Sequence, residues 1–429
     1  MGISLSKMNI TVKEYNFKNN MKKVVPSMDY LTHGIHPYTA KLIPHIPRYF
    51  IEKYTDKGET VLDPFCGSGT TLLEARLLER NAIGIDINPL ARLISKVKTT
   101  PINAEKLDSA IQSVKAQLRK DANAAIVEFP NIDYWFGEDV QNELVRIKSS
   151  IEKLNGNISC EIYRFLELCF SSVIRKSSYA DPRIAKTYKS KRIIKKVENG
   201  WVPKPIQYFE EALDKNFERL KALSEILSSN NNYIRVFQGD AREISFILEQ
   251  NGIRKVDFII TSPPYINAQD YFRSYKLELW WLGLASPAEV RYLRKQAIGT
   301  ENLAGINRNS MLKSEVQLLN TICNRIWEIN RTKSLVIHKY FKNMRLVFEE
   351  SYKVLKSGRH LCLIAGNNTI CGVQVPTYRI LASMAENCGF KLVEIGRDEI
   401  KNRSLPPDRN HSGGFIKEEW IILFRKGEE

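Results

Sequence analysis

The stretch Val61–Pro89, VLDPFCGSGTTLLEARLLERNAIGIDINP, decides the fold. An apolar run ends at Asp63, and Gly67 and Gly69 follow within a short turn. Leu72, Leu73, Leu77 and Leu78 then recur at helical spacing. A second apolar run ends at Asp86, twenty-three residues after Asp63, and Pro89 leads into a further helix. Strand, glycine turn, helix, strand is the βαβ unit of a parallel sheet. Its glycines let a ligand approach the backbone where the helix presents free N–H groups.

The alternation continues along the chain. IRVFQGDA, DFIITSPPY, HLCLIAGNN, KLVEIGRDEI and EEWIILFRK are nearly unbroken apolar runs, as expected of strands covered on both faces. The last two have no helix between them, only a proline-containing loop, so they are expected to pair as an antiparallel hairpin. The expected fold is α/β: a doubly wound, mostly parallel sheet with a C-terminal antiparallel hairpin and mostly helical inserts. Residues 30–100 are expected to form the first half of the scaffold and 101–230 a helical, basic insert. Residues 231–284 and 346–429 are expected to form the second half, with a second insert at 285–345. Residues 37–54, PYTAKLIPHIPRYFIEKY, are expected to be a helix entered through prolines, and YFRSYKLELWWLGL another.

Composition narrows the function classes. Of 429 residues 43% are apolar, enough for a sizeable core. No run reaches the roughly 18 uncharged apolar residues of a membrane span. The start of the chain lacks the apolar core of a leader, so a soluble, cytoplasmic protein is expected. The seven cysteines show no CxxC spacing and the six histidines no ligand spacing, which gives neither a metal site nor a disulfide frame. Net charge is +16. The segment Arg175–Lys204 holds ten basic and two acidic residues, which points to a polyanionic partner.

The glycine turn excludes some ligands. A dinucleotide fingerprint needs a third glycine where Leu72 stands, and there is no lysine-bearing phosphate loop. Asp63 would repel a pyrophosphate but suits an ammonium, and Asp86 suits the hydroxyls of a ribose. A ligand with ammonium, ribose and adenine is S-adenosyl-L-methionine. The second informative stretch is Thr261–Tyr265, TSPPY, where a strand stops at two prolines between a serine and a tyrosine. Prolines remove N–H donors and stiffen the loop, leaving acceptor oxygens for an exocyclic amino group. The tyrosine offers a stacking face for a base that has left the duplex.

DPFCGSGTT together with TSPPY resembles the DNA amino-methyltransferases of restriction–modification systems, the N4-cytosine group in particular. HPYTAKLIPHIPRYF resembles their additional cofactor-contacting helix. The resemblance implies that Asp63, Phe65, Gly67 and Gly69 line the methionine part of the cofactor, with Pro64, Ser68 and Thr70 in the same loop. It implies Asp86 and Ile87 at the ribose and adenine, Asp240 at the adenine amino group, and Tyr38 and Lys41 near the carboxylate. Ser262, Pro263, Pro264 and Tyr265 would hold the target amino group and base. Ser262 stands where adenine methylases carry Asp, which favours cytosine. No Pro-Cys pair occurs, which excludes carbon-5 chemistry.

The cofactor half precedes the catalytic half, the reverse of the commoner order in N4-cytosine enzymes. That order leaves two candidates for the DNA-reading region. The favoured one is the first insert, with Arg175, Lys176, Arg183, Lys186, Lys189, Lys191, Arg192, Lys195 and Lys196. The second insert offers Arg291, Arg294, Lys295 and Arg308. The expected partners are double-stranded DNA and, functionally, a cognate restriction endonuclease, with the protein a monomer. Rival readings are an adenine-N6 enzyme of the same fold, an RNA or protein amino-methyltransferase, and a DNA-binding regulator without catalysis.

Overall fold

The computed structural model describes residues 11–120, 127–266, 270–399 and 418–428. Seven strands answer to the apolar runs: β2 (Thr60–Asp63), β3 (Asn81–Asp86), β4 (Ile234–Gln238), β5 (Val256–Thr261), β6 (Leu355–Ala365), β9 (Phe390–Glu399) and β10 (Glu418–Lys426). An eighth, β1 (Lys13–Tyr15), joins them in one sheet of order β1-β9-β10-β6-β5-β2-β3-β4. Neighbours pair in parallel except at β10, which runs antiparallel to both β6 and β9. The proline-containing loop expected between β9 and β10 lies outside the described residues.

Alternation along the strands sorts the two faces, as a period of two requires. Val61, Phe258, Ile260, Cys362, Ile364, Ile421 and Leu423 pack with Phe50 and Leu72, under helices His45–Tyr54 and Thr70–Leu77. Leu62, Ile259, Leu361, Leu363, Ile422 and Phe424 face the other way, onto Leu248, Phe341, Phe348 and Leu381. At the base of the sheet Asp257 accepts from the Thr60 N–H at 3.0 Å and pairs with Lys356.

The first insert is built from helices Ala104–Leu118, Glu138–Glu152, Cys160–Ser177 and Pro205–Ile226. Its core residues Ile111, Leu144, Phe165 and Leu213 share one cluster with Leu93 and Ile94 of helix Pro89–Thr99 and with Trp281. Scaffold and insert therefore pack as continuous hydrophobic material.

Three expectations are corrected, and three short strands went unforeseen. Residues 37–44 are not helical; the helix begins at His45, because Ala40 has a left-handed φ of 55° and Pro44 restricts the residue before it. The helix expected at 271–284 is two short pieces, Tyr271–Ser274 and Lys276–Trp281, broken at Tyr275. The boundary placed at 345 falls inside helix Arg331–Val354, whose Phe341, Met344 and Phe348 pack on the sheet. Strand β1 and the small hairpin β7 (Asn368–Ile370) with β8 (Val373–Val375) give three-residue strands, too short for a periodic signal. Among the described residues no helix is long and apolar enough to cross a membrane.

Candidate active site

Asp63 ends β2, Asp86 ends β3, Asp240 follows β4 and Ser262 follows β5, all at the carboxyl edge of adjacent parallel strands. Ligands of open α/β sheets bind at that edge. A cavity of about 650 Å³ opens there. Its lining includes Asp63, Pro64, Phe65, Gly67, Ser68, Thr70, Asp86, Ile87 and Asp240 from the scaffold. Tyr38 and Lys41 line it from the N-terminal segment, and Ser262 and Pro264 from the proline loop.

The acids are the chemical core. Asp63 is buried, and burial raises its pKa to about 6 against the opposing hydrogen bond from the Thr261 hydroxyl. That bond is 2.6 Å long, and the Phe65 N–H donates to the same oxygen at 3.1 Å. No Lys or Arg pairs with Asp63 among the described residues, so a cationic ligand would answer its charge. Asp86 accepts from the N–H groups of Gly67 at 2.9 Å and Asn88 at 2.7 Å. Burial raises its pKa too, and a carboxylate with two bonds has lone pairs left for a pair of hydroxyls.

The loop between the acids needs its glycines. Gly69 has φ 76°, and a Cβ there would meet Ser95 Oγ at 2.8 Å. Ser95 in turn donates to the Gly67 carbonyl at 2.7 Å, closing the loop onto helix Pro89–Thr99. Gly69 itself faces that helix and not the cavity.

Glu74 fixes the N-terminal segment over this loop. The side chain is fully buried and bonds His33 Nε2 at 2.7 Å, Arg48 at 3.1 Å and the Tyr30 hydroxyl. The strap so anchored lays Tyr38 against Tyr275, ring centroids 5.0 Å apart, and against Tyr271 at 5.9 Å. Tyr275 also accepts from the Thr39 N–H at 2.7 Å. Lys41 is paired with Asp29 at 2.9 Å.

Two residues of the proline loop, Pro263 and Tyr265, do not line the cavity. Burial, with smaller effects from nearby Glu419 and Tyr271, pushes the Tyr265 hydroxyl well above its ordinary pKa. Gly299 of the second insert lies so close that a Cβ would come within 2.6 Å of the Tyr265 carbonyl oxygen. The segment after it, Thr300–Asn302, completes the wall. The ion pair of Arg294 with Asp270 and the bond from Arg242 to the Gln296 carbonyl, 3.0 Å, hold this insert over the site. Arg242 also grips Asp240, so that carboxylate is already partnered.

The basic candidates divide. Lys186 alone among the nine reaches the cavity, where Arg273, Arg291, Arg294 and Lys295 join it. Arg175 is structural, donating to the carbonyls of Ser274 at 2.7 Å and Ile184. Arg183 and Arg192 both pair with buried Asp181, at 3.1 and 3.0 Å. Burial opposes the Asp181 charge, but the hydrogen bonds from Arg183, Arg192 and Ser190 outweigh it and hold its pKa well down. Lys176 lies over the Tyr208 ring, Lys189 over Tyr179, and Lys196 over Trp201. Lys191 and Lys195 are exposed on helix Lys191–Glu198. Sequence reasoning missed Tyr271, Phe272, Arg273 and Thr300 as lining residues. The aromatic run after the proline loop was the available signal for the first two.

A buried uncompensated acid, a second acid for vicinal hydroxyls, and a donor-rich loop between them fit S-adenosylmethionine. The fold and site resemble those of S-adenosylmethionine-dependent methyltransferases. Residues 7–96 match the model of a DNA methylase family, and residues 53–150 that of an RMKL-like methyltransferase domain. The type II methyltransferase M.MvaI of Kocuria varians is 25% identical, over 92% of this chain and 91% of its own. M.BsoBI of Geobacillus stearothermophilus is 27% identical, over 79% of this chain and 74% of its own. The rRNA methyltransferase aviRa from Streptomyces viridochromogenes superposes with a TM-score of 0.31 at 10% identity, over 92% of this chain and 89% of its own, too distant to carry an argument. The chain thus resembles the type II DNA methyltransferases of restriction–modification systems.

Proposed function

We propose that this protein methylates the N4 amino group of a cytosine turned out of double-stranded DNA at a specific site. The observation that carries the reading is that Ser262 and Pro264 line the same cavity as Asp63 and Asp86. S-adenosylmethionine supplies an electrophilic methyl group on sulfur, so the transfer is a direct displacement. Asp63 would bind the cofactor's ammonium and Asp86 its ribose hydroxyls. Ser262 and the Pro264 carbonyl would accept hydrogen bonds from the cytosine amino group, which orients its nitrogen toward the methyl carbon. No enzyme nucleophile is required. Burial pushes the Cys66 thiol well above its ordinary pKa, which keeps it protonated.

Extruding the base costs a few kcal/mol, offset by contacts along the strand. Lys186, Arg273, Arg291 and Lys295 at the cavity are suited to the flanking phosphates, and exposed Lys191 and Lys195 to phosphates farther out. Both inserts thereby contribute to the DNA interface in this reading. Serine in place of aspartate at 262 supports cytosine over adenine. The biological role is protection of DNA from a cognate restriction endonuclease, by a monomer in a prokaryotic cytoplasm.

Nucleoside analysis of DNA treated with the protein and methyl-labelled cofactor tests this. The expected label is in N4-methylcytosine. Label in N6-methyladenine would replace the base assignment, and label in RNA or glutamine with duplex DNA inert would overturn the DNA reading.

A further inference from the structure

An acceptor can hold an amino group but cannot tell which ring carries it. Cytosine and adenine each present an exocyclic amino group beside a ring nitrogen that accepts. They differ one position farther along that edge, where cytosine has the acceptor oxygen O2 and adenine a C–H group. The proline loop offers acceptors to the amino group, so a site that selects cytosine needs a donor from a second element beside that loop.

Residues 298–302 of the second insert are such an element. Ile298 is buried in the same hydrophobic cluster as Leu319 and Phe341. The Asn302 carbonyl accepts from Lys339 Nζ at 2.7 Å. Between these fixed ends Gly299 packs on the proline loop. A Cβ there would stand 2.6 Å from the Tyr265 carbonyl oxygen and 3.7 Å from Pro264 Cβ. Thr300 comes next and lines the same cavity as Ser262 and Pro264. Its Oγ1 accepts from the Asn302 N–H at 3.3 Å, and no acceptor takes its hydrogen among the described residues. A hydroxyl has one donor beside its lone pairs, so that donor is left to give.

We propose that Thr300 is a specificity-determining residue for the target base, its hydroxyl donating to O2 of the extruded cytosine. The inference rests on the cytosine reading of the cavity and deepens it. Thr300 follows the residue that touches Pro264, and consecutive Cα atoms lie about 3.8 Å apart. The amino nitrogen and O2 of one cytosine are separated on that scale, so grip and donor fit a single ring. Adenine in the same grip would set a C–H against the hydroxyl and leave the donor unpaired. The nearby cations are suited to other partners. Arg294 is engaged by Asp270, and Arg291 and Lys295 stand exposed on helix Pro287–Gln296.

The test uses a duplex bearing the site that methylation mapping identifies, with the target either cytosine or 2-thiocytosine, whose sulfur is a poor acceptor. Single-turnover methyl transfer is measured for wild type, Thr300→Val, Thr300→Ala and Thr300→Ser. Wild type is expected to lose about fivefold on the thio base, the size of one neutral hydrogen bond. Thr300→Val is expected to lose as much on cytosine and nothing further on the thio base, and Thr300→Ala to behave likewise. Valine keeps the shape of threonine, so a merely steric effect of the larger sulfur would persist in it. Thr300→Ser keeps the hydroxyl and is expected to retain the wild-type ratio. Equal wild-type rates on the two bases, or the same thio penalty in wild type and in the valine and alanine variants, would overturn the inference and leave the methyltransferase reading standing. Wild-type label in adenine, or in no duplex DNA, would overturn the base reading itself, and the inference with it.

Discussion

The hydroxyl of Thr261 donates to Oδ1 of Asp63 across 2.6 Å. The last residue of β5, which leads into Ser-Pro-Pro-Tyr, thus holds the acid that ends β2. One buried side-chain bond joins that acid to the strand leading into the proline loop. Thr261→Val preserves the shape and removes the donor. Cofactor affinity and methyl-transfer rate are both expected to fall, by about tenfold each, for a loss of about 1–2 kcal/mol. Equilibrium binding and single-turnover assays measure the two effects separately.

Asp63 gives a pH dependence whose sign is fixed. Its folded pKa, about 6, lies above the unfolded value of 3.8. The folded state is therefore favoured by protonation, and this contribution is present below about pH 4 and lost as pH rises through 6. Asp63→Asn should raise the melting temperature at pH 8 by relieving a cost of about 3 kcal/mol. The gain should vanish near pH 4, while cofactor affinity is lost at every pH. In the wild type, cofactor affinity should fall as pH drops through 6, because the ammonium needs the ionised acid.

Gly299 tests the contact between the second insert and the proline loop. An alanine would carry a Cβ into the Tyr265 carbonyl at 2.6 Å, at a φ of 84° that disfavours side chains. Displacing a loop by a fraction of an ångström at the reacting group costs up to about 100-fold in rate. Gly299→Ala should lose turnover on that scale while binding S-adenosylhomocysteine normally, as read by kinetics beside calorimetry.

The basic residues should separate by role. Lys191→Ala and Lys195→Ala remove exposed charges, so each should weaken DNA binding and flatten its salt dependence by just under one unit of log–log slope. Arg175→Ala should instead lower the melting temperature, since the Ile184 carbonyl loses this donor and the Ser274 carbonyl keeps only the Thr187 hydroxyl, at a cost of about 1–3 kcal/mol. Filter binding across a salt series and thermal unfolding distinguish the two outcomes.

The strands were legible because buried parallel strands are unbroken apolar runs, and Asp63 and Asp86 because each ends one. Tyr265 was legible as a motif member, but its place outside the cavity lining was not, since spacing says nothing of where a ring turns. Arg175, Arg183 and Arg192 belong to a basic run in composition, yet donate to carbonyls or to Asp181 in the fold. Residues 37–44 of the strap read as the start of a helix, because the Glu74 hub that holds Tyr30 and His33 is 44 and 41 residues distant from them in sequence.

Local chemistry alone therefore determined the βαβ unit, the two acids, the glycine turn and the donor-free loop. These depend on backbone geometry and hydrophobic period within a few residues of each position. Only the tertiary structure decided which side chains share the cavity, that Gly299 closes against Tyr265, and that Thr300 joins the cavity wall beside it. Such contacts join segments tens to hundreds of residues apart, and they arise when the sheet and both inserts pack together to exclude water from a common interior.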